Sequence, residues 1–178
     1  MIEKETKIIG ISKSETIKRL GQIGAVERGT VKLRSLVFDT SESSLKKSGA
    51  LLRLRTDGES TLLTLKLPNK EENEGLKILT EVETGIGDFN SMKKILMALG
   101  YGVVDEFFKI RTGFTVGQAR VEIEEYLEKY SFIPPFIEIE GHSREEILNV
   151  AKMLGHSEDE LKPWTLYDLI DYYRKGKA

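Results

Sequence analysis

The chain contains no cysteine, which excludes a disulfide framework, a thiolate zinc site and a cysteine nucleophile. It has two histidines, His142 and His156, too few for a histidine-built metal cluster. No apolar run is long enough to span a bilayer, and no charged leader followed by an apolar core opens the chain. A cytoplasmic protein with no membrane partner is the default expectation. A basic excess is missing too: 27 Lys and Arg stand against 29 Asp and Glu in 178 residues, a formal net charge of -2. Broad capture of nucleic acid is therefore not expected, and any anion binding has to be local.

What is present is a chain with 39% hydrophobic and 31% charged residues, long enough for one well-packed domain spanning 1–178. Short runs of alternating character, rich in Ile, Val, Leu, Thr and Phe, lie at 2–9, 30–39, 50–56, 60–68, 75–84, 103–113, 118–128 and 135–142. They read as eight strands. The segment "TDGES" at 56–60 predicts a tight hairpin and "PNKEENEG" at 68–75 a longer, solvated one, so most neighbouring strands should be antiparallel. Helical spacing interrupts the strands at "SKSETIKRLGQIG", "DFNSMKKILMALG", "SREEILNVAKMLG" and "TLYDLIDYYRK", with Gly24 and Gly100 as stops for the first two.

Side chains at i, i+2 and i+4 of a strand share a face. On that rule Glu3, Glu5 and Lys7 share one face, as do Arg53 with Arg55, Glu81 with Glu83, Lys109 with Arg111, Glu122 with Glu124, and Glu138 with Glu140; Lys66 stands between Leu65 and Leu67. An antiparallel sheet with one wet face shows the same alternation. Like-charged pairs such as Arg53 with Arg55 or Glu138 with Glu140 nevertheless weaken pairing unless something neutralises them. If the sheet closes into a barrel, the charged faces point inward around a wet lumen and the apolar faces outward beneath the helices. Such a lumen has to hold water, metal and a polyanion, because isolated buried ions are too costly.

At this point "EKETK" resembles the ExExK motif of the CYTH family, the triphosphate tunnel metalloenzymes. Further blocks follow in the family's order: "FDT" at 38–40, "GALLRLRTD", "TLKLP" at 64–68, "TEVE" at 80–83, "FFKIR" at 107–111, "PPFIEIEG" at 134–141 and "LYDLI" at 166–170. The resemblance implies an α+β fold: an eight-stranded antiparallel β-barrel, open as a tunnel, with helices packed outside. It implies a small-molecule triphosphate as partner, Mg²⁺ or Mn²⁺ as cofactor, and is compatible with a homodimer.

Carried over position by position, Glu3, Glu5, Glu138 and Glu140 match the family's metal-binding carboxylates, and Lys7 the motif lysine, which orients water or holds a phosphate oxygen. Arg53, Arg55, Lys66, Lys109 and Arg111 match the basic residues that grip the phosphates, while Glu81 and Glu83 balance them. The family commonly has an aspartate before "PPFIEIEG"; the matching position by distance is Glu128, with Glu122 and Glu124 as rivals of the same parity. The implied catalytic set is Glu5, Lys7 and Glu128. Val37 stands where the family often has an aromatic residue. Lys162 is within reach of the phosphates on this match but reads first as a helix-cap lysine. Trp164, Tyr167, Tyr172 and Tyr173 read as packing against the barrel, with nucleobase stacking as the functional alternative. The leading function is metal-dependent hydrolysis of inorganic tripolyphosphate or a nucleotide or other organic triphosphate. The alternatives are a class IV adenylate cyclase, which converts ATP to cyclic AMP and pyrophosphate, and a non-catalytic polyphosphate or nucleotide sensor.

Overall fold

The structure, a computed structural model, describes residues 1–69 and 75–176. Eight strands form: β1 (Ile2–Ile8), β2 (Val26–Asp39), β3 (Leu51–Thr56), β4 (Thr61–Pro68), β5 (Lys77–Gly85), β6 (Gly102–Val116), β7 (Ala119–Tyr126) and β8 (Phe136–Glu140). They close into one barrel in the order β1-β5-β4-β3-β2-β6-β7-β8, and every neighbouring pair is antiparallel. The helices are α1 (Lys13–Gln22), α2 (Ser44–Lys47), α3 (Phe89–Ala98), α4 (Arg144–Met153) and α5 (Leu166–Lys175).

The four longer helices fall where the apolar spacing predicts them, and each starts on a side-chain cap: Ser12, Asp88, Ser143 and Thr165 accept from backbone N–H groups of the first turn. The expected hairpin at 56–60 is made by Asp57, whose carboxylate accepts from the amides of Glu59 and Ser60, with Gly58 at φ +99°. Residues 70–74 of the longer loop predicted between β4 and β5 lie outside the described residues.

Three boundaries differ from expectation. β2 begins at Val26, earlier than expected, because "VERG" carries no alternation; a register shift between Glu27 and Gly29 lets it pair with the far end of β6. α2 has no apolar period, and Asp39 makes it instead by accepting from the amides of Leu45 (2.9 Å) and Lys46 (3.0 Å). β7 stops at Tyr126, and a 3-10 turn follows at Glu128–Tyr130.

The barrel is apolar outside and charged inside. Ile8, Val121, Ile123, Ile137 and Ile139 point outward and pack with Leu20 of α1 and Ile147, Val150 and Ala151 of α4. Leu36, Phe38, Leu52 and Leu54 pack in the same way against Leu96, Phe89 and Met92 of α3. Each such large side chain contributes about 1.5–3 kcal/mol by leaving water, so the core lies between wall and helices and the interior is left to the charged faces. Closure excludes the reading of one solvated sheet face: Glu5, Lys7, Lys109 and Glu124 are at most 5% exposed.

Candidate active site

Register determines the depth at which each inward side chain sits. Glu3, Glu5, Lys7 and then Ile9 run inward along β1; Glu140, Glu138 and Phe136 run the same way along β8, and Arg120, Glu122, Glu124 and Tyr126 along β7. On β6 the series is Arg111, Lys109 and Phe107, opposite Val31, Leu33 and Ser35 of β2, with Val37 next along β2 opposite Asp105. At the deep end Leu51, Val37, Phe107, Tyr126 and Phe136, from five strands, and Ile9 just past β1 belong to one apolar cluster with Leu169 and Ile170 of α5. Tyr126 stacks on Phe136 (6.1 Å between centroids) and meets Phe107 edge-on (5.6 Å). This cluster forms a floor. Asp105 ties it down by accepting from Tyr130 (2.6 Å), Lys129 (2.8 Å) and Tyr167 (3.4 Å).

Above the floor the charges interlock. Lys7 Nζ lies 3.1 Å from Glu5 and 3.0 Å from Glu138. Arg111 forks between Glu122 (2.7 Å) and Glu124 (2.5 Å), and Lys109 donates to the same Glu124 oxygen at 2.8 Å. Lys66 bridges Glu3 (2.5 Å) and Glu81 (2.9 Å). Thr64 donates to Glu83 at 2.7 Å. The two arginines of β3 are less engaged: Arg55 comes no closer than 3.8 Å to Glu83, and Arg53 Nε is buried with no hydrogen-bond partner. Since β3 lies across the barrel from β8 in the strand order, these arginines face the acids of β7 and β8 over the lumen.

The electrostatics follow from burial and neighbours. Burial pushes Glu122 up to about 7 against the pull of Arg111. Burial and then Glu5 push Glu3 up to about 7. Burial also works to raise Glu138, but Lys7, Lys109 and Arg111 outweigh it and hold this carboxylate well below its usual range. The Lys7 ammonium, which burial alone would depress, is held above its ordinary value by Glu138 and Glu5. Lys109 falls to about 8, through burial and then Arg111. Strongly perturbed groups packed into one cavity make the lumen a candidate functional site.

Carboxylate oxygens of Glu122, Glu124 and Glu138 lie within 4.8 Å of one another, and Glu124 Oε2 is buried without a partner. An all-oxygen set with an orphaned carboxylate oxygen fits a hard divalent cation. Of the four carboxylates expected to hold metal, Glu138 is in this group. Glu3 is engaged by Lys66, Glu5 by Lys7 and Lys77, and Glu140 pairs with Arg120 at the mouth. Glu128 does not join the lumen. It is exposed on the 3-10 turn at φ +53°, because the strand has already ended and parity no longer governs its direction; its rivals Glu122 and Glu124 point inward.

Lys7, Arg53, Arg55, Lys66, Lys109 and Arg111 all face the lumen. Lys162 bridges its backbone to that of Lys7 and turns its ammonium to the Asp159 carbonyl at 3.0 Å. Trp164 and Tyr173 pack beneath the floor. Sequence reasoning passed over Lys77, Ser35 and Arg120; Lys77 shares the parity of Glu81 and Glu83, which was the available signal. Among the described residues no helix is long and apolar enough to cross a membrane.

Solved structures share this architecture. A candidate adenylate cyclase from Vibrio parahaemolyticus superposes with a TM-score of 0.81 at 19% identity, covering 95% of this chain and 98% of its own. A conserved hypothetical protein from Pyrococcus furiosus gives 0.76 at 24% identity, with 94% and 99% covered. A candidate adenylyl cyclase from Hippeastrum, described as having a dominant triphosphatase activity, gives 0.69 at 17% identity, with 98% and 96% covered. No curated protein matches the chain. The model of the CYTH domain matches residues 1–163, and with the barrel and its charged interior in place, the chain belongs to the CYTH domain family.

Proposed function

We propose that this protein is a metal-dependent triphosphatase that hydrolyses inorganic tripolyphosphate or an organic triphosphate within the lumen. The observation that carries this reading is the opposition of two walls: three converging carboxylates, Glu122, Glu124 and Glu138, face Arg53, whose Nε has no hydrogen-bond partner, and Arg55, which is held only at 3.8 Å by Glu83. A pure anion binder has no use for that acid group. The triphosphatase activity described for the Hippeastrum protein of the same fold is consistent with it.

Glu122, Glu124 and Glu138 would hold Mg²⁺ or Mn²⁺, which when bound supplies charge neutralisation at the phosphoryl oxygens and acidifies water. Arg53 and Arg55 bind phosphate oxygens through their planar forks, and Lys66 and Lys109 act as point charges. Lys7 orients Glu5 and Glu138 against each other. Glu5, shared by Lys7 and Lys77, is the carboxylate outside that group placed to take a proton from the attacking water.

The test is incubation of purified protein with tripolyphosphate, ATP and thiamine triphosphate, each with Mg²⁺ or Mn²⁺, followed by product identification. Orthophosphate release is the expected result. Cyclic AMP with pyrophosphate would make the protein a class IV adenylate cyclase, and binding without turnover would leave it a sensor.

A further inference from the structure

Between Val31 and Val37 of β2 the side chains turned to the lumen are Val31, Leu33, Ser35 and Val37, while Leu36 and Phe38 pack outward against α3. Only Ser35 among the four is polar. It is 0% exposed, and its hydroxyl has no hydrogen-bond partner among the described residues. A hydroxyl taken out of water without a partner is destabilising. As a filler for this stretch of wall, serine is therefore worse than alanine or valine.

The surroundings of Ser35 define what is missing. Its register sets it opposite Arg55 on β3 and Phe107 on β6, and sets Val37, one step deeper, opposite Arg53. Arg53 is thus a diagonal neighbour of Ser35, at a spacing that a long side chain spans. Leu33, Val37 and Phe107 are apolar, and an arginine has N–H donors but no acceptor, whereas a serine hydroxyl has a proton to give. None of these side chains can take that proton. Arg53 Nε, buried and likewise without a partner, is a second donor in the same condition. No inward position from Val31 to Val37 on β2 or from Leu51 to Arg55 on β3 carries a carboxylate; the glutamates of the lumen stand on β1, β5, β7 and β8. Neighbouring desolvated donors on an acid-free stretch of wall require an acceptor from outside the chain.

From this we infer that Ser35 is a substrate-binding residue: its hydroxyl and Arg53 Nε donate to oxygens of one phosphoryl group on the β2–β3 wall. The inference rests on the triphosphate reading and adds a neutral donor to it. A neutral donor suits this place. Burial, then Arg53 and Arg111, already pull Arg55 down to about 10, so a further cation would add repulsion, whereas a hydroxyl fixes an oxygen by direction without adding charge.

Calorimetric titrations of the wild-type protein and of Ser35→Ala test this, with tripolyphosphate in EDTA and with imidotriphosphate, whose P–N bridges resist hydrolysis, in Mn²⁺. Ser35→Ala is expected to bind each ligand that the wild type takes up roughly tenfold more weakly. Its urea midpoint without ligand is expected to stay at the wild-type value or to rise, because the unpartnered hydroxyl is gone. Equal affinity in the two proteins would overturn the inference and leave the triphosphate reading intact. A weaker affinity accompanied by a lower midpoint would also overturn it, by making Ser35 a packing residue. Failure of the wild-type protein to bind either ligand would remove the triphosphate reading and this inference with it.

Discussion

Lys77 Nζ lies 2.8 Å from Glu5 Oε1, the same oxygen that Lys7 approaches at 3.1 Å. Lys77 is the cross-strand neighbour of Glu5 in the β1–β5 register, and it supplies a second cation to a carboxylate that is 3% exposed. Removing one of two partners leaves a buried anion half-compensated, which costs a charged hydrogen bond but not the whole pair. Lys77→Met is expected to lower unfolding stability by about 1–3 kcal/mol, read from urea denaturation. Unchanged stability would mean that Lys7 alone satisfies Glu5.

Arg53 presents the opposite case. Its buried Nε has no partner, so that nitrogen carries a desolvation cost that no hydrogen bond offsets. Arg53→Ala is expected to leave the denaturation midpoint unchanged or raised, and to weaken tripolyphosphate binding roughly 10- to 100-fold. Calorimetry and denaturation on the same sample check both halves. A drop in stability with affinity intact would assign Arg53 a structural role.

The contrast between Lys77 and Arg53 also shows what the sequence can reveal. Arg53 was visible because Arg-Leu-Arg alternation announces an inward pair, and the same rule placed Glu3, Lys109 and Glu138. Lys77 stands next to the 68–75 loop, at the start of β5, where no like-charged partner two residues on marks it as inward. The acid group was ambiguous for a related reason: parity ranks Glu122, Glu124 and Glu128 equally until the strand end is known, and the turn after Tyr126 is determined by local backbone conformation. The floor was not legible at all. Its members come from the ends of separate runs, and only the stagger of the closed barrel brings Phe107, Tyr126 and Phe136 together. α2 stayed hidden because one carboxylate, Asp39, rather than any apolar period, makes it.

That carboxylate predicts a pH response away from the lumen. Burial works to raise Asp39, but the amides of Lys46, Leu45 and Thr40 outweigh it and hold the carboxyl below its ordinary value. A depressed folded pKa means that Asp39 contributes stability above the unfolded value of about 3.9 and loses it as pH falls through the folded one. Asp39→Asn should therefore destabilise the protein at neutral pH and narrow its difference from wild type in acid. Thermal unfolding of both proteins from pH 7 down to pH 3 reads the two curves, and a gap that stays constant would show that the charge is not what holds α2.

The metal reading separates residues that share strand parity but not position. Glu124→Gln and Glu138→Gln each remove a carboxylate from the converging group, and each leaves cations behind: Lys109 and Arg111 around position 124, Lys7 beside position 138. Both changes are expected to weaken Mn²⁺ binding and to lower triphosphate turnover at least about 100-fold. Glu128→Gln alters an exposed side chain on the turn beyond β7, and turnover and Mn²⁺ affinity should stay at wild-type values. Manganese binding followed by electron paramagnetic resonance provides a readout independent of catalysis. Loss of affinity in the Glu128 variant with retention in the other two would move the ion away from the converging group.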